Sequence, residues 1–116
     1  MELGYIEIFV EDPAGAKYLY FDMLGFEIVT IQNDQFIWLK KGRQEFLIKP
    51  SQPHKSESRY EDARLGLVLY TDDVKETIRE LEGKRVQIRG TVDSSKCYTF
   101  TDPDGNWFQH VNPNDH

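Results

Sequence analysis

The chain repeats one short pattern of residues twice, and this repeat limits the folds open to it. Residues 41–50 (KGRQEFLIKP) align with residues 104–113 (DGNWFQHVNP) at an offset of 63, with a glycine and a proline at matching places. Residues 5–13 align with residues 66–74 at an offset of 61. An internal repeat of this length indicates two copies of one small supersecondary unit.

The first copy is predicted to contain a strand, a helix and three more strands. Alternating β-forming residues predict a strand over residues 3–10. Asp12 and Pro13 are typical of a helix N-cap and first helical position, and Gly25 is typical of a helix end. Turn residues then separate three short apolar runs. These runs predict strands at 26–31, 35–40 and 44–49.

The second copy shows the same order of signals. Asp72 or Asp73 is predicted to cap its helix, and Gly83 to end it. Strands are predicted at 65–70, 85–89, 96–101 and 106–111. Between the copies, the polar and proline-containing segment 51–64 is predicted to be a linker or a mobile flap.

Each copy is therefore a βαβββ module that is too small to cover its own sheet, so two modules must pair. The predicted class is α+β, as a single domain over residues 1–116. Module 1 spans about 3–50, the linker spans 51–64, and module 2 spans about 65–113.

Composition excludes some partners. The net charge of −6, with scattered lysines and arginines, argues against nucleic-acid binding. No apolar run approaches the roughly 20 residues of a membrane helix, and no secretory leader is evident. Cys97 is the single cysteine, so an internal disulfide is excluded. A cytoplasmic location is the expectation.

Four segments together resemble the vicinal oxygen chelate superfamily, which includes glyoxalase I, extradiol dioxygenases, fosfomycin-resistance enzymes and bleomycin-resistance proteins. They are IEIFVEDP (6–13), AKYLYFDMLGFEI (16–28), the strand ending in TDDV (71–74), and FTDPDGNWFQHV (100–111). The resemblance implies that the two modules form a curved half-barrel sheet with helices on the outer face. The ligand would then lie on the concave face.

Catalytic members of this superfamily hold a divalent metal through residues of the first and last strand of each module. Carried onto this sequence, the four positions are Tyr5, Phe46, Gly66 and Gln109. Glycine and phenylalanine offer no ligand atom, and neutral tyrosine and a carboxamide are weak substitutes for imidazole and carboxylate. We therefore expect no metal and no other cofactor.

The histidines do not supply an alternative metal site. His54 lies in the linker and His116 ends the chain, while His110 should point away from the face of its neighbour Gln109. All three are predicted to be surface residues. Cys97 has no activating neighbour, and it is predicted to be a half-buried strand residue.

The predicted ligand-binding lining is mainly aromatic, with one carboxylate and one carboxamide, which suits a flat or amphipathic organic molecule. For strand 35–40, the pairs Phe36 with Trp38 and Ile37 with Leu39 are both open. Glu7 would favour a cationic ligand. The predicted lining residues are Tyr5, Glu7, Phe9, Trp38, Phe46, Ile48, Val68, Tyr70, Trp107 and Gln109.

Three functions remain open at this point. The favoured one is a metal-free small-molecule binder that resembles bleomycin-resistance proteins, with no catalytic residue. A metal-dependent lyase, isomerase or dioxygenase is the main alternative, and a homodimer with a structural or regulatory role is the third. In that last case the aromatic residues would be ordinary core. The resemblance also implies a homodimer, and whether the modules pair within one chain or between two chains is open.

Overall fold

The computed structural model describes residues 1–55, 57–84, 87–92 and 97–115, with the backbone alone for 87–92 and 115. The chain divides into two compact units, Met1–His54 and Lys55–His116. Each unit holds one four-stranded sheet and one main helical segment in the order βαβββ. This confirms the predicted α+β class. The predicted strand residues 85, 86 and 96, the linker residue 56 and the terminal His116 lie outside the described residues.

The first sheet has the strand order β1-β4-β3-β2, with β1 parallel to β4 and the other neighbours antiparallel. The last three strands lie within about one residue of their predicted bounds. The first strand begins at Ile6, later than the predicted residue 3. The strands are β1 Ile6–Val10, β2 Glu27–Gln32, β3 Phe36–Lys41 and β4 Gln44–Pro50.

The helix of the first unit begins as predicted. The Asp12 carboxylate accepts a hydrogen bond from the Gly15 N–H at 3.2 Å, and Pro13 opens helix α1, Pro13–Lys17. The chain then continues as a π-helix over Tyr18–Met23, which the sequence did not predict. The wider π turn brings buried Leu24 close to the buried Leu19 and Tyr20 on one face of the helix.

The core of the first unit lies between this helix and one face of the sheet. Phe26 links the two layers, with ring centroids 5.4 Å from Tyr20 of the helix and 5.1 Å from Phe46 of β4. Six strand residues on this face are buried. They are Ile8 and Val10 of β1, Ile37 and Leu39 of β3, and Phe46 and Ile48 of β4.

The second sheet repeats this topology, with the order β5-β8-β7-β6 and β5 parallel to β8. Its helix contacts β7 and β8. The predicted linker contains one short 3₁₀ turn, Tyr60–Asp62. The elements are β5 Gly66–Tyr70, α2 Val74–Glu82, β6 Gln87–Val92, β7 Cys97–Thr101 and β8 Trp107–Val111.

The core of the second unit contains a stack of rings. The Phe100 ring lies 5.2 Å from Phe108 and 5.0 Å from the His110 imidazole, both in stacked orientation. His110 therefore points away from Gln109 as expected, but the prediction that it is a surface residue is wrong, because it is buried. Tyr98 shares this face, where burial and the nearby Glu82 carboxylate of α2 raise its pKa above the usual 10.

The loop between β7 and β8 is organised by the buried carboxylate of Asp102. Its Oδ1 accepts hydrogen bonds from the N–H groups of Asp104 (3.0 Å) and Asn106 (2.8 Å), and its Oδ2 accepts one from the Asn106 side-chain amide (2.8 Å). Gly105 closes the turn with a φ of 85° and an N–H bond of 3.0 Å to the Asp102 carbonyl. These bonds fix where β8 begins.

Within the described residues, no helix is long and apolar enough to cross a membrane.

The structure identifies which aspartate caps α2. The Asp73 carboxylate accepts a hydrogen bond from the Glu76 N–H at 3.0 Å and Asp73 is the N-cap residue, whereas Asp72 lies one residue before the cap. We therefore predict that Asp73→Ala lowers the free energy of unfolding by about 1 kcal/mol, because one N-terminal N–H loses its acceptor. Urea denaturation followed by circular dichroism measures this loss. Asp72→Ala is the matched control and should change it little; equal losses would contradict the assignment.

Candidate functional site

The side of the first sheet that faces away from α1 carries the predicted ligand residues of β1. We call this side the first face; it includes Tyr5, Glu7, Phe9, Phe36, Trp38, Lys40, Leu47 and Lys49. Glu7 and Phe9 alternate with the buried Ile8 and Val10, so they point away from the helix. The structure thus brings Tyr5, Glu7 and Phe9 together as predicted.

The register of β3 is also settled. Ile37 and Leu39 are buried on the helix side, so Phe36 and Trp38 lie on the first face. The Trp38 ring packs edge-on against Tyr5, with centroids 4.8 Å apart. Tyr5 remains 46% exposed and Trp38 is half-buried, so both rings keep surface for another molecule.

The prediction that Phe46 and Ile48 line the ligand face was wrong. Both are buried on the helix side, in register with Ile6 and Ile8. Leu47 takes the place assigned to Phe46, because it pairs with Glu7 just as Gln109 pairs with Val68 in the second sheet.

Unequal hairpin lengths explain this error of one residue. In the first unit Lys41 pairs with Gln44, so only Gly42 and Arg43 form the turn. In the second unit Thr101 pairs with Trp107 across a five-residue loop, residues 102–106. The two lengths differ by an odd number, and an odd shift exchanges the two faces of a strand. The glycines accordingly hold different places in the two turns, since Gly42 lies five residues before Leu47 and Gly105 lies four residues before Gln109. Alignment on the glycines therefore placed β4 on the wrong face.

Leu47 forms the floor of the first face. It lies between Glu7 on β1 and Trp38 on β3 in the same row across the sheet, and it is buried. The superfamily's ligand position in the last strand of this module thus holds an apolar side chain with no donor atom. Sequence reasoning missed this residue because the repeat pointed to its neighbour.

Lys49 supplies a cation that the sequence reasoning also missed. Its Nζ lies 3.5 Å from Glu7 Oε2 and 5.8 Å from the centroid of the Phe9 ring. Lys49 and Leu47 are two residues apart on one strand, so the same correction of register places both on the first face. The Glu7 carboxylate is therefore paired and does not stand alone among the aromatic rings.

The corresponding side of the second sheet, which we call the second face, was predicted correctly in its register. Gly66, Val68 and Tyr70 of β5 pair with Trp107, Gln109 and Val111 of β8, so all six share one side. Tyr70 is 75% exposed, whereas Trp107 is buried. Cys97, Thr99 and Thr101 of β7 lie on the same side and are also buried, so Cys97 is more deeply buried than predicted.

Tyr60 covers one end of the second face. Its ring lies 5.7 Å from Trp107 in an edge-on arrangement. A Cβ atom added to Gly66 would meet the Tyr60 hydroxyl at 2.6 Å, so the tyrosine fills the space that a side chain at position 66 would need. The neighbouring Arg59 is tied to this turn by Asp62, whose hydrogen bond (2.9 Å) and charge raise the pKa of Arg59. No sequence signal marked Tyr60, which is a lone aromatic in a polar segment.

The residues at the superfamily's four metal positions do not fit a divalent cation. With the corrected register these positions hold Tyr5, Leu47, Gly66 and Gln109. Leu47 and Gly66 have no side-chain ligand atom, and Tyr60 occupies the space beside Gly66. Across the part of the chain that the structure describes, no three His, Cys, Asp or Glu side chains come together to hold a metal ion.

A family profile for the Glyoxalase/Bleomycin resistance protein/Dioxygenase superfamily matches residues 2–110. The chain belongs to this superfamily. Its recognition from the four sequence segments is thereby confirmed. A search of curated proteins finds no significant match.

Solved structures of the superfamily share the fold. Glyoxalase I of Leishmania major matches with a TM-score of 0.75 and 18% identity, over 99% of this chain and 88% of its own. Lactoylglutathione lyase of Agrobacterium tumefaciens matches with a TM-score of 0.69 and 20% identity, over 97% of this chain and 93% of its own. A glyoxalase/bleomycin resistance protein of Streptomyces sp. CB03234 matches with a TM-score of 0.65 and 21% identity, over 96% of this chain and 100% of its own. At these identities the likeness extends to the fold and not to the reaction.

The packing of Tyr60 against Gly66 predicts a strong coupling between the two positions. Gly66→Ala should lower the free energy of unfolding by about 1–3 kcal/mol, because the new methyl group displaces the tyrosine ring from Trp107. In a Tyr60→Ala background, Gly66→Ala should change the free energy of unfolding only slightly. A double-mutant cycle by urea denaturation measures the coupling.

Gly4→Ala is the control, since a Cβ there meets nothing within 4 Å. If Gly66→Ala lowers the free energy of unfolding by the same amount with and without Tyr60, then Tyr60 does not fill this space.

Proposed function

We propose that this protein is a small-molecule binder that holds an aromatic organic ligand on the first face without a divalent metal. The observation that carries the proposal is the half-exposed Tyr5–Trp38 pair, 4.8 Å apart, above the buried Leu47. Rings of a ligand stack on such a pair, and the apolar floor excludes water beneath it. The nearby Glu7 and Lys49 supply polar contacts that orient the ligand.

Binding without chemical change is better supported than catalysis. A lyase, isomerase or dioxygenase of this superfamily needs a metal to polarise its substrate. The residues at the superfamily's four metal positions lack the donor atoms to hold one. The lactoylglutathione lyase and the glyoxalase I described above share only the fold with this chain, at 18–20% identity. The role that fits best is sequestration of a drug-like molecule, as in bleomycin resistance.

Other parts of this proposal rest on the resemblance. Val68, Tyr70, Trp107 and Gln109 of the second face would contribute a further ligand-facing surface. A homodimer and a cytoplasmic location likewise stay predictions. Size-exclusion chromatography with light scattering would test the dimer, and a monomer at micromolar concentration would contradict it.

A thermal-shift screen with aromatic drug-like compounds in the presence of EDTA tests the proposal. A ligand at about 100 times its dissociation constant should stabilise the protein by about 2.7 kcal/mol. We predict that Trp38→Leu removes most of this stabilisation, because the ligand loses its stacking partner while the strand keeps an apolar residue.

Tyr18→Ser is the matched control, since Tyr18 is an exposed aromatic residue on the π-helix and lies off the first face. It should leave the ligand-induced shift unchanged. A screen with no stabilising compound, or stabilisation that appears only when a divalent metal replaces EDTA, would contradict the proposed function.

A further inference from the structure

The ion pair on the first face has a position that suits it to ligand recognition. Glu7 and Lys49 lie on adjacent strands, beside the Phe9 ring and next to the Leu47 floor. Their side chains are about one third exposed, at 32% and 33%. Both charged groups are therefore within reach of a ligand that stacks on the aromatic rings, yet neither is fully hydrated.

A second ion pair on the same face differs in this respect. Lys40 Nζ lies 3.7 Å from Glu27 Oε2, between β3 and the edge strand β2. Its side chains are more exposed, at 45% and 68%. Exposed pairs of this kind contribute little energy and are screened by salt. This pair is a surface feature and provides an internal comparison for the first one.

The pairing changes the class of ligand that the face selects. An unpaired Glu7 would attract a cation, but here a purely cationic ligand must displace the Lys49 ammonium from its partner. A purely anionic ligand faces the same cost at Glu7. A ligand with both charges replaces one ion pair by two, since its ammonium meets Glu7 and its carboxylate meets Lys49. The Glu7–Lys49 pair is itself about one third exposed, so solvent weakens it enough for this exchange.

We propose that Glu7 and Lys49 together select an aromatic zwitterion, in which an ammonium and a carboxylate group lie close together, as in an aromatic α-amino acid. This inference rests on the proposed function, because it concerns the same face. It assigns Lys49 as a specificity-determining residue. The ring of the ligand stacks on Tyr5 and Trp38, and its two charges lie over the Glu7–Lys49 pair.

Three probes with the same ring and different charges test this assignment. Phenylalanine is zwitterionic, 2-phenylethylamine is cationic and 3-phenylpropionate is anionic at pH 7. Isothermal titration calorimetry at low ionic strength compares their affinities. We expect phenylalanine to bind about tenfold more tightly than either of the singly charged probes, because it alone satisfies both charges.

Two substitutions should change this order in opposite directions. Lys49→Met should lower the affinity for phenylalanine about tenfold and make 2-phenylethylamine the preferred probe, because Glu7 is then unpaired. Glu7→Gln should instead make 3-phenylpropionate the preferred probe. Opposite changes of preference cannot arise from misfolding of either variant. Lys40→Met, which breaks the exposed pair on the same face, should leave the order unchanged.

The outcomes separate this inference from the proposed function. If the drug-like screen yields binders that need Trp38, but the three probes bind equally or not at all, the zwitterion assignment is overturned and the binding function stands. A preference for phenylalanine that survives Lys49→Met overturns it as well. If neither the screen nor any probe shows binding, both fail.

Discussion

The parallel pairing of β1 with β4 determines which side chains the first unit presents on its helix-free side. Glu7 lies opposite Leu47 and Phe9 opposite Lys49, so β4 contributes an apolar floor and a cation to the first face. The neighbouring residues Phe46 and Ile48 go to the core. Because strand residues alternate between faces, a shift of the register by one residue would exchange the whole set. The chemistry available on this face therefore follows from one strand pairing.

The second unit shows a related adaptation at the matching position of its first strand. Gly66 has no side chain, and Tyr60 from the preceding 3₁₀ turn occupies the space beside it and packs against Trp107. Well-packed interiors tolerate few voids, so the loss of one side chain is compensated by another from elsewhere in the chain. The two modules thus share a fold but differ in the residues that occupy the superfamily's metal positions. One has a leucine in the last strand, and the other has a glycine beside an inserted tyrosine.

Much of the fold could be predicted from the sequence because its signals are local. Asp12 with Pro13, and Gly25, mark the ends of the first helical segment, and Asp102 with Gly105 marks the loop before β8. The π turn over Tyr18–Met23 was missed because α and π spacing share many apolar positions over so short a segment.

The candidate site was less accessible to sequence reasoning because it depends on non-local pairing. Whether Trp38 or Leu39 faces the ligand side is decided by the register of β3 against β4. Leu47 and Lys49 were missed because the two hairpins differ in length by an odd number of residues. Tyr60 contacts Gly66 from a short turn in the polar segment, and no hydrophobic periodicity in the sequence predicts that turn. His110 was misassigned to the surface because its burial comes from stacking on Phe100 in the neighbouring strand.

Superfamily enzymes hold a metal at the four positions that carry Tyr5, Leu47, Gly66 and Gln109 in this chain, and we propose that these residues hold none. Equilibrium dialysis against Zn²⁺, Mn²⁺, Ni²⁺ and Fe²⁺ in turn, followed by elemental analysis, tests it most directly. We expect far less than one equivalent of each metal per chain, and no change on Gln109→Ala. One equivalent of metal that is lost on Gln109→Ala would contradict it.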